Sequence, residues 1–140
     1  MLKVYLAVPI IANRNVDKAR TIAGILSELG YKLTSDWVIS ENPGYHLSPA
    51  AVFQRDTQSV RNCDVLVAEV STRSHGVGME IMLAQVLGKP IIALYQPSAP
   101  VSRLLQGIPN TRLIEYTSID ILRLSLKQAL ASLSSSSPDP

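Results

Sequence analysis

The chain alternates two kinds of pattern. Short unbroken apolar runs read as buried strands, and longer stretches with an apolar residue every three or four positions read as amphipathic helices. Leu2 to Val8 is the first run, and Pro9 to Arg14 is the loop at its end. A helix follows from its N-cap Asn15. Val16, Ala19, Ile22, Leu26 and Leu29 share one face of it, and Gly30 stops it. Tyr31 to Thr34 is a short second strand, and Ser35 to His46 is a polar loop of the length that often carries function in compact domains. Ser48-Pro49 is a cap followed by proline at the first helical position, so a second helix runs from there to about Asn62. Asp64 to Val70 is a third strand, Gly78 to Leu87 a third helix closed by Gly88, and Pro90 to Tyr95 a fourth strand. After the proline-rich loop Gln96 to Pro100, Val101 to Gln106 forms one or two helical turns. Arg112 to Tyr116 is the fifth strand, Ile119 to Leu133 a final amphipathic helix, and Ser134 to Pro140 a tail disordered by composition.

Strands that alternate with helices and are apolar throughout predict a three-layer α/β fold, a parallel sheet with helices on both faces. Right-handed crossovers favour the flavodoxin-like, Rossmann-like strand order 2-1-3-4-5. The order then reverses between the first and third strands, where the loops after the first, third and fourth strands converge. At 140 residues, 46% hydrophobic and 17% charged, the chain fits one domain over residues 1–133 with a sizeable core. The net charge of +2 comes without a dense basic run, which argues against a nucleic acid polymer as partner. Val4 to Ala12 is too short and proline-interrupted for a secretory leader, and no run approaches a membrane span. The single cysteine, Cys63, forms no disulfide within the chain and suits a reducing cytoplasm.

Candidate chemistry gathers between residues 56 and 80. Glu80 is the lone acid of a stretch, Ile81 to Leu87, that is apolar on nearly every side. That helix is expected to be largely buried, with Glu80 in its first turn facing a cleft. The positive partial charge of the helix start then favours the ionised carboxylate, a plausible nucleophile. Asp56 shares a helical face with Val52 and Val60, and Phe53 widens that apolar stripe, so an acid there is costly unless paired or functional. The turn from Ser71 to Gly78 brings glycines and the donors Ser74 and His75 to a helix N-terminus, a setting that binds anions. Tyr5 on the first strand points either into the crevice or into a helix layer, and Glu69 lines the site or bonds a neighbouring loop. There is no G-x-S-x-G elbow and no metal-ligand cluster, so neither metal nor cofactor is expected. Two carboxylates without a metal point to glycosyl chemistry, in which one attacks the anomeric carbon and the other assists the leaving group.

Arg55-Asp56, then Cys63-Asp64-Val-Leu-Val-Ala-Glu69-Val, then Ser74-His-Gly76-Val-Gly78-Met-Glu80, together with Val4-Tyr5-Leu6-Ala7, resemble the nucleoside 2-deoxyribosyltransferase superfamily. The resemblance covers roughly residues 3 to 116 and is nearest to the 2′-deoxynucleoside 5′-phosphate N-hydrolase branch. It implies that Glu80 attacks C1′ of the sugar and carries it as a covalent intermediate. It implies that Asp56 assists proton transfer or holds sugar and base, and that Tyr5 orients the nucleophile. Ser74, beside Gly76 and Gly78, would bind the 5′-phosphate, and Ser102 would reach the same phosphate from a neighbouring subunit of a homodimer. The branch usually carries Gly-Ser-Ile-Arg-Gly after the first strand. Here Val8-Pro9-Ile10-Ile11-Ala12 stands in its place, keeping the isoleucine as Ile10, and Arg14 is the candidate to supply the missing charge.

The expected activity is hydrolysis of (2′-deoxy)nucleoside 5′-monophosphates to free base and sugar phosphate. A base-exchanging deoxyribosyltransferase and a nucleotide-sensing domain without turnover are the alternatives. The loop from Ser35 to His46 is expected to set base preference, through Trp37, Tyr45 or His46.

Overall fold

The computed structural model describes residues 2–135. The elements alternate as expected: β1 (Lys3–Ala7), α1 (Val16–Glu28), β2 (Lys32–Leu33), α2 (Pro49–Asn62), β3 (Val65–Glu69), α3 (His75–Val86), β4 (Ile91–Tyr95), α4 (Arg103–Gln106), β5 (Thr111–Glu115) and α5 (Ile119–Ser135). A 3₁₀ turn over Asp36–Ile39 follows β2. The strands form one parallel sheet in the order β2-β1-β3-β4-β5, with Val4 opposite Val65 and Leu66 opposite Ile91. This is the predicted doubly wound topology.

Caps account for the helix starts. Asn15 Oδ1 accepts from Lys18 N–H at 3.0 Å, and Ser48 Oγ accepts from Ala51 N–H at 3.1 Å with Pro49 behind it. The pleat of the sheet sends alternate residues to opposite layers. Val4, Leu6, Val65, Val67, Ile92 and Leu94 pack against Ile22 and Leu26 of α1 and Leu122 and Leu126 of α5. Tyr5, Ala7, Leu66, Ala68, Ile91 and Ala93 pack against Val60 of α2 and Val77, Ile81 and Ala84 of α3. Both faces are therefore covered, which is why the strand sequences show no alternation. A cavity such as Leu66→Ala would leave costs about 2–5 kcal/mol.

Several boundaries shift. Strand two shrinks to Lys32–Leu33; Thr34 N–H still reaches the Val4 carbonyl at 2.8 Å, and its Oγ1 donates to the Ser59 carbonyl (3.0 Å). The buried Ser35 then bonds both sides of the Leu6 peptide: its Oγ accepts from Leu6 N–H and donates to Leu6 C=O, each at 2.9 Å. The third helix begins at His75, not Gly78, because Ser74 Oγ caps Val77 N–H at 3.2 Å. The last helix extends through Ser134 and Ser135, so the tail read from Ser134 onward is helical at its start, and residues 136–140 lie outside the described residues.

Candidate active site

Tyr5 sits on β1 with its side chain in the α2–α3 layer, 1% exposed. Its ring meets Trp37 of the 3₁₀ turn edge-on, with centroids 6.0 Å apart and planes at 68°. The Arg55 guanidinium lies over the other aromatic partner, 4.0 Å from the Trp37 centroid, a cation–π contact. Arg55 Nε donates to Asp56 Oδ1 at 2.8 Å, and Arg55 Nη1 donates to the Pro43 carbonyl at 2.7 Å. Gly44 permits that closure: its φ is +101°, and a Cβ there would stand 2.6 Å from Arg55 Nη1. Tyr5 and Asp56 are thus joined through Trp37 and Arg55 into one wall. Sequence reading names all four residues, Arg55 within the Arg55-Asp56 motif and Trp37 for base preference, but not the stack that joins them. Arg55 carries no periodic signal, and its partner Trp37 lies in a loop.

Glu80 occupies α3, which packs beside α2 over the same sheet face. Residues 77, 80, 81 and 84 share a helical face, so the carboxylate lies along the stripe of Val77, Ile81 and Ala84 that packs on the sheet. Glu80 is half-buried, and no hydrogen bond or ion pair to it exists among the described residues. Desolvation pushes its pKa up from an ordinary 4.5 to about 8. This corrects the expectation of an acid held ionised in the first turn. With the helix starting at His75, Glu80 falls in the second turn, and the helix-start field fades within the first. The expectation of a largely buried helix is corrected too: Met79, Met82, Val86 and Leu87 are exposed, Val86 at 75%. Phe53 likewise does not widen the α2 stripe, for it is 64% exposed.

The glycine-bearing turn presents an open helix end. Gly76 and Gly78 lie inside the first turn of α3; a Cβ on Gly78 would meet nothing within 4 Å, and one on Gly76 only Ser74 Oγ at 3.9 Å. Ser102 is exposed and caps the single turn α4, its Oγ accepting from Leu105 N–H at 3.4 Å. Its neighbours Val101 and Leu105 pack on the Tyr5 side of the core. Arg14 is engaged elsewhere. Its Nη2 donates to the carbonyls of Val38 (3.1 Å) and Ser40, and Nη1 reaches the Glu41 carbonyl at 3.5 Å, so the guanidinium straps the loop after β2. Ile10 packs half-buried on the α1-side core, and Ile11 is 95% exposed.

On the α1 side a cavity of about 20 Å³, room for one water, is lined by Pro9, Asn15, Lys18 and Glu69. A hollow of about 590 Å³ lies among Gln85, Lys89, Pro90, Thr111 and Arg112 at the amino ends of β4 and β5 and holds none of the candidate acids. Among the described residues no group of three or more His, Cys, Asp or Glu is placed to hold a metal, and no helix is long and apolar enough to cross a membrane.

The fold and this face define a doubly wound α/β protein that presents a tyrosine and two helix-borne carboxylates on one side of its switch point. The chain belongs to the nucleoside 2-deoxyribosyltransferase family, whose model matches residues 4–122. It is 38% identical over 128 residues to a protein of Thermofilum pendens named "Putative 2'-deoxynucleoside 5'-phosphate N-hydrolase 1", covering 85% of this chain and 88% of that one. It is 46% identical over 58 residues to the 5-hydroxymethyl-dUMP N-hydrolase of Mus musculus, covering 40% of this chain and 34% of the mouse protein. In structure it is similar to the CMP N-glycosidase of Clostridium botulinum, with a TM-score of 0.67 at 22% identity, covering 89% of this chain and 97% of that one.

Proposed function

We propose that this enzyme, an N-glycosidase, hydrolyses the bond between base and sugar in (2′-deoxy)nucleoside 5′-monophosphates through a glycosyl-Glu80 intermediate. The observation that carries the reading is Glu80 itself: a desolvated carboxylate, without a hydrogen-bond or ion-pair partner among the described residues, on the helix that packs beside α2 and its Tyr5–Trp37–Arg55–Asp56 wall. The names of the curated relatives support the same bond and substrate class.

In the first step a Glu80 oxygen forms a bond to C1′ as the C1′–N bond breaks. The base leaves with the bonding pair and takes a proton through Asp56 or solvent. In the second step water attacks C1′ and gives a proton back to Asp56 or to solvent, the C1′–O bond to Glu80 breaks, and Glu80 regains its carboxylate. A nucleophile poorly solvated in the free enzyme gains most as positive charge develops on the sugar, which is stabilisation spent on the transition state. Tyr5 borders the nucleophile's layer as its orienting group. Ser74, with the bare first turn around Gly76 and Gly78, and Ser102 receive the 5′-phosphate.

The exposed Met79, Met82 and Val86 on α3 and Leu104 on α4 form the face that a second copy covers, each copy lending Ser102 to the other's site. Light scattering at micromolar concentration tests this, and a monomer contradicts it. The buried Cys63 thiol, pushed up to about 11 mainly by burial, resists oxidation and suits a cytoplasmic enzyme.

The experiment is chromatography of released base across deoxynucleotides, ribonucleotides and unphosphorylated nucleosides, with Glu80→Ala in parallel. Release from monophosphates, lost in the variant, is the expected result, together with a 2-fluoro sugar analogue trapped covalently on Glu80. One observation favours a second reading. Arg14 is tied to loop carbonyls and Ile10-Ile11 replaces the donors after β1, which lowers the demand for a phosphate and leans toward base exchange. A new nucleoside formed only when an acceptor base is added would establish that reaction.

A further inference from the structure

One buried acid has no part in this chemistry. Glu69 ends β3, is 3% exposed, and follows Val65 and Val67 toward the α1 side of the sheet. Its carboxylate is fully engaged. Oε1 accepts from Ser71 N–H at 2.6 Å, Oε2 accepts from the Tyr116 hydroxyl, and Lys18 Nζ stands 4.0 Å from Oε2. Lys18 Nζ also donates to Gln96 Oε1 at 2.7 Å, and Gln96 N–H donates to Ser71 Oγ at 2.9 Å. The contacts close a ring: Glu69, Ser71, Gln96, Lys18 and back to Glu69.

The ring sits at the roots of two loops. Ser71 opens the segment that leads to the α3 cap Ser74, and Gln96 opens the segment that leads to the α4 cap Ser102. The link between those roots is made by side chains that never enter the α2–α3 layer. We propose that Glu69 is a positioning residue for the substrate's 5′ end: the ring fixes the Ser74 loop at this copy's site and the Ser102 loop that reaches the partner copy's site, and so sets affinity for the 5′-phosphate at both. The inference rests on the assignment of Ser74 and Ser102 as phosphate ligands in the reaction above. A carboxylate is required because it accepts from Ser71 and Tyr116 and faces the Lys18 cation at once, which a neutral amide with a single oxygen does not. Loops freed from the ring must be ordered when the phosphate binds, and that cost falls on binding before it falls on the chemical step.

The test measures kcat and KM for one nucleoside 5′-monophosphate and its unphosphorylated nucleoside, with melting temperatures, in wild type, Glu69→Gln, Ser71→Ala and Lys18→Met. The last two alter partly exposed side chains and leave the core intact. For the monophosphate, KM rises about tenfold in Glu69→Gln and about threefold in Lys18→Met, with kcat within about twofold; the nucleoside KM stays unchanged. Equal changes for both substrates, a kcat loss at constant KM, or no change in any variant overturns the proposal. A wild-type protein that releases no base from either substrate overturns the N-glycosidase reading itself, before any variant is compared.

Discussion

Two glutamates lie near the carboxyl edge of the same sheet, eleven residues apart in number and opposite in circumstance. Glu69, on the α1 side, is almost fully buried and has a donor or cation for each oxygen. Glu80, on the α2–α3 side, is less deeply placed and has none among the described residues. Burial alone therefore does not mark the reactive acid. What separates them is compensation: a buried carboxylate whose oxygens are satisfied is a rivet, and one left uncompensated holds free energy that a substrate can release. The partner shows the same logic from the other end. Burial, then the hydrogen bond to Glu69, pushes the Tyr116 phenol far above its ordinary 10, so it stays a donor.

The contrast breaks most readily at Glu80. Glu80→Gln is expected to lower base release by at least about 10³-fold in a chromatographic assay, because an amide cannot form the proposed bond to C1′. The same variant melts at a higher temperature at pH 8. The folded carboxyl titrates near 8 and the unfolded one near 4.5, so the unfolded chain gives up its proton first. Stability then falls as pH rises from about 4.5 to about 8, and the amide removes that slope. If Glu80→Gln melts below wild type at pH 8, the carboxylate is compensated after all.

Arg55→Lys comes next. It keeps a cation but loses the fork that grips Asp56 and Pro43 and the plane that lies on Trp37, so kcat is expected to drop about 10–100-fold with a smaller change in KM. The pH profile of the wild type sharpens the comparison further. Since the attacking form of Glu80 is deprotonated, kcat/KM climbs about tenfold per unit up to roughly pH 8 and then levels. A limb near 4.5 would mean that the free enzyme solvates Glu80 normally. Tyr116→Phe takes one donor from Glu69 and is expected to cost about 1–3 kcal/mol in denaturant unfolding, with the pH limb unmoved.

The sequence carried the fold nearly whole. Unbroken apolar strands, capped helices and glycine stops specify layers, order and handedness, because each is a local rule that the tertiary structure obeys. The start of α3 was misplaced because Gly76 and Gly78 look like loop residues, while the single hydroxyl of Ser74 outweighs their poor helix propensity. That shift of three residues moved Glu80 out of reach of the helix-start field and changed its electrostatics. Periodicity placed Asp56 and Glu80 on helix faces that adjoin the sheet, yet it has no means of counting donors around an oxygen. The stack of Arg55 on Trp37 and the bond of Tyr116 to Glu69 join residues 18 and 47 positions apart, and no pattern along the chain encodes such pairs.

Ser35 has a consequence for the life of the protein rather than for its reaction. A parallel sheet ends in a strand whose free peptide groups are a template on which another chain can add. Here the outer strand β2 is two residues long, and beyond it β1 would show a bare edge at Leu6. The Ser35 hydroxyl caps both the N–H and the C=O of that peptide, so the edge is closed by a side chain where a third or fourth strand residue would otherwise be needed. One oxygen atom thus acts as a hem on the sheet where β2 stops short, closing to a neighbouring chain the one stretch of β1 that β2 leaves uncovered.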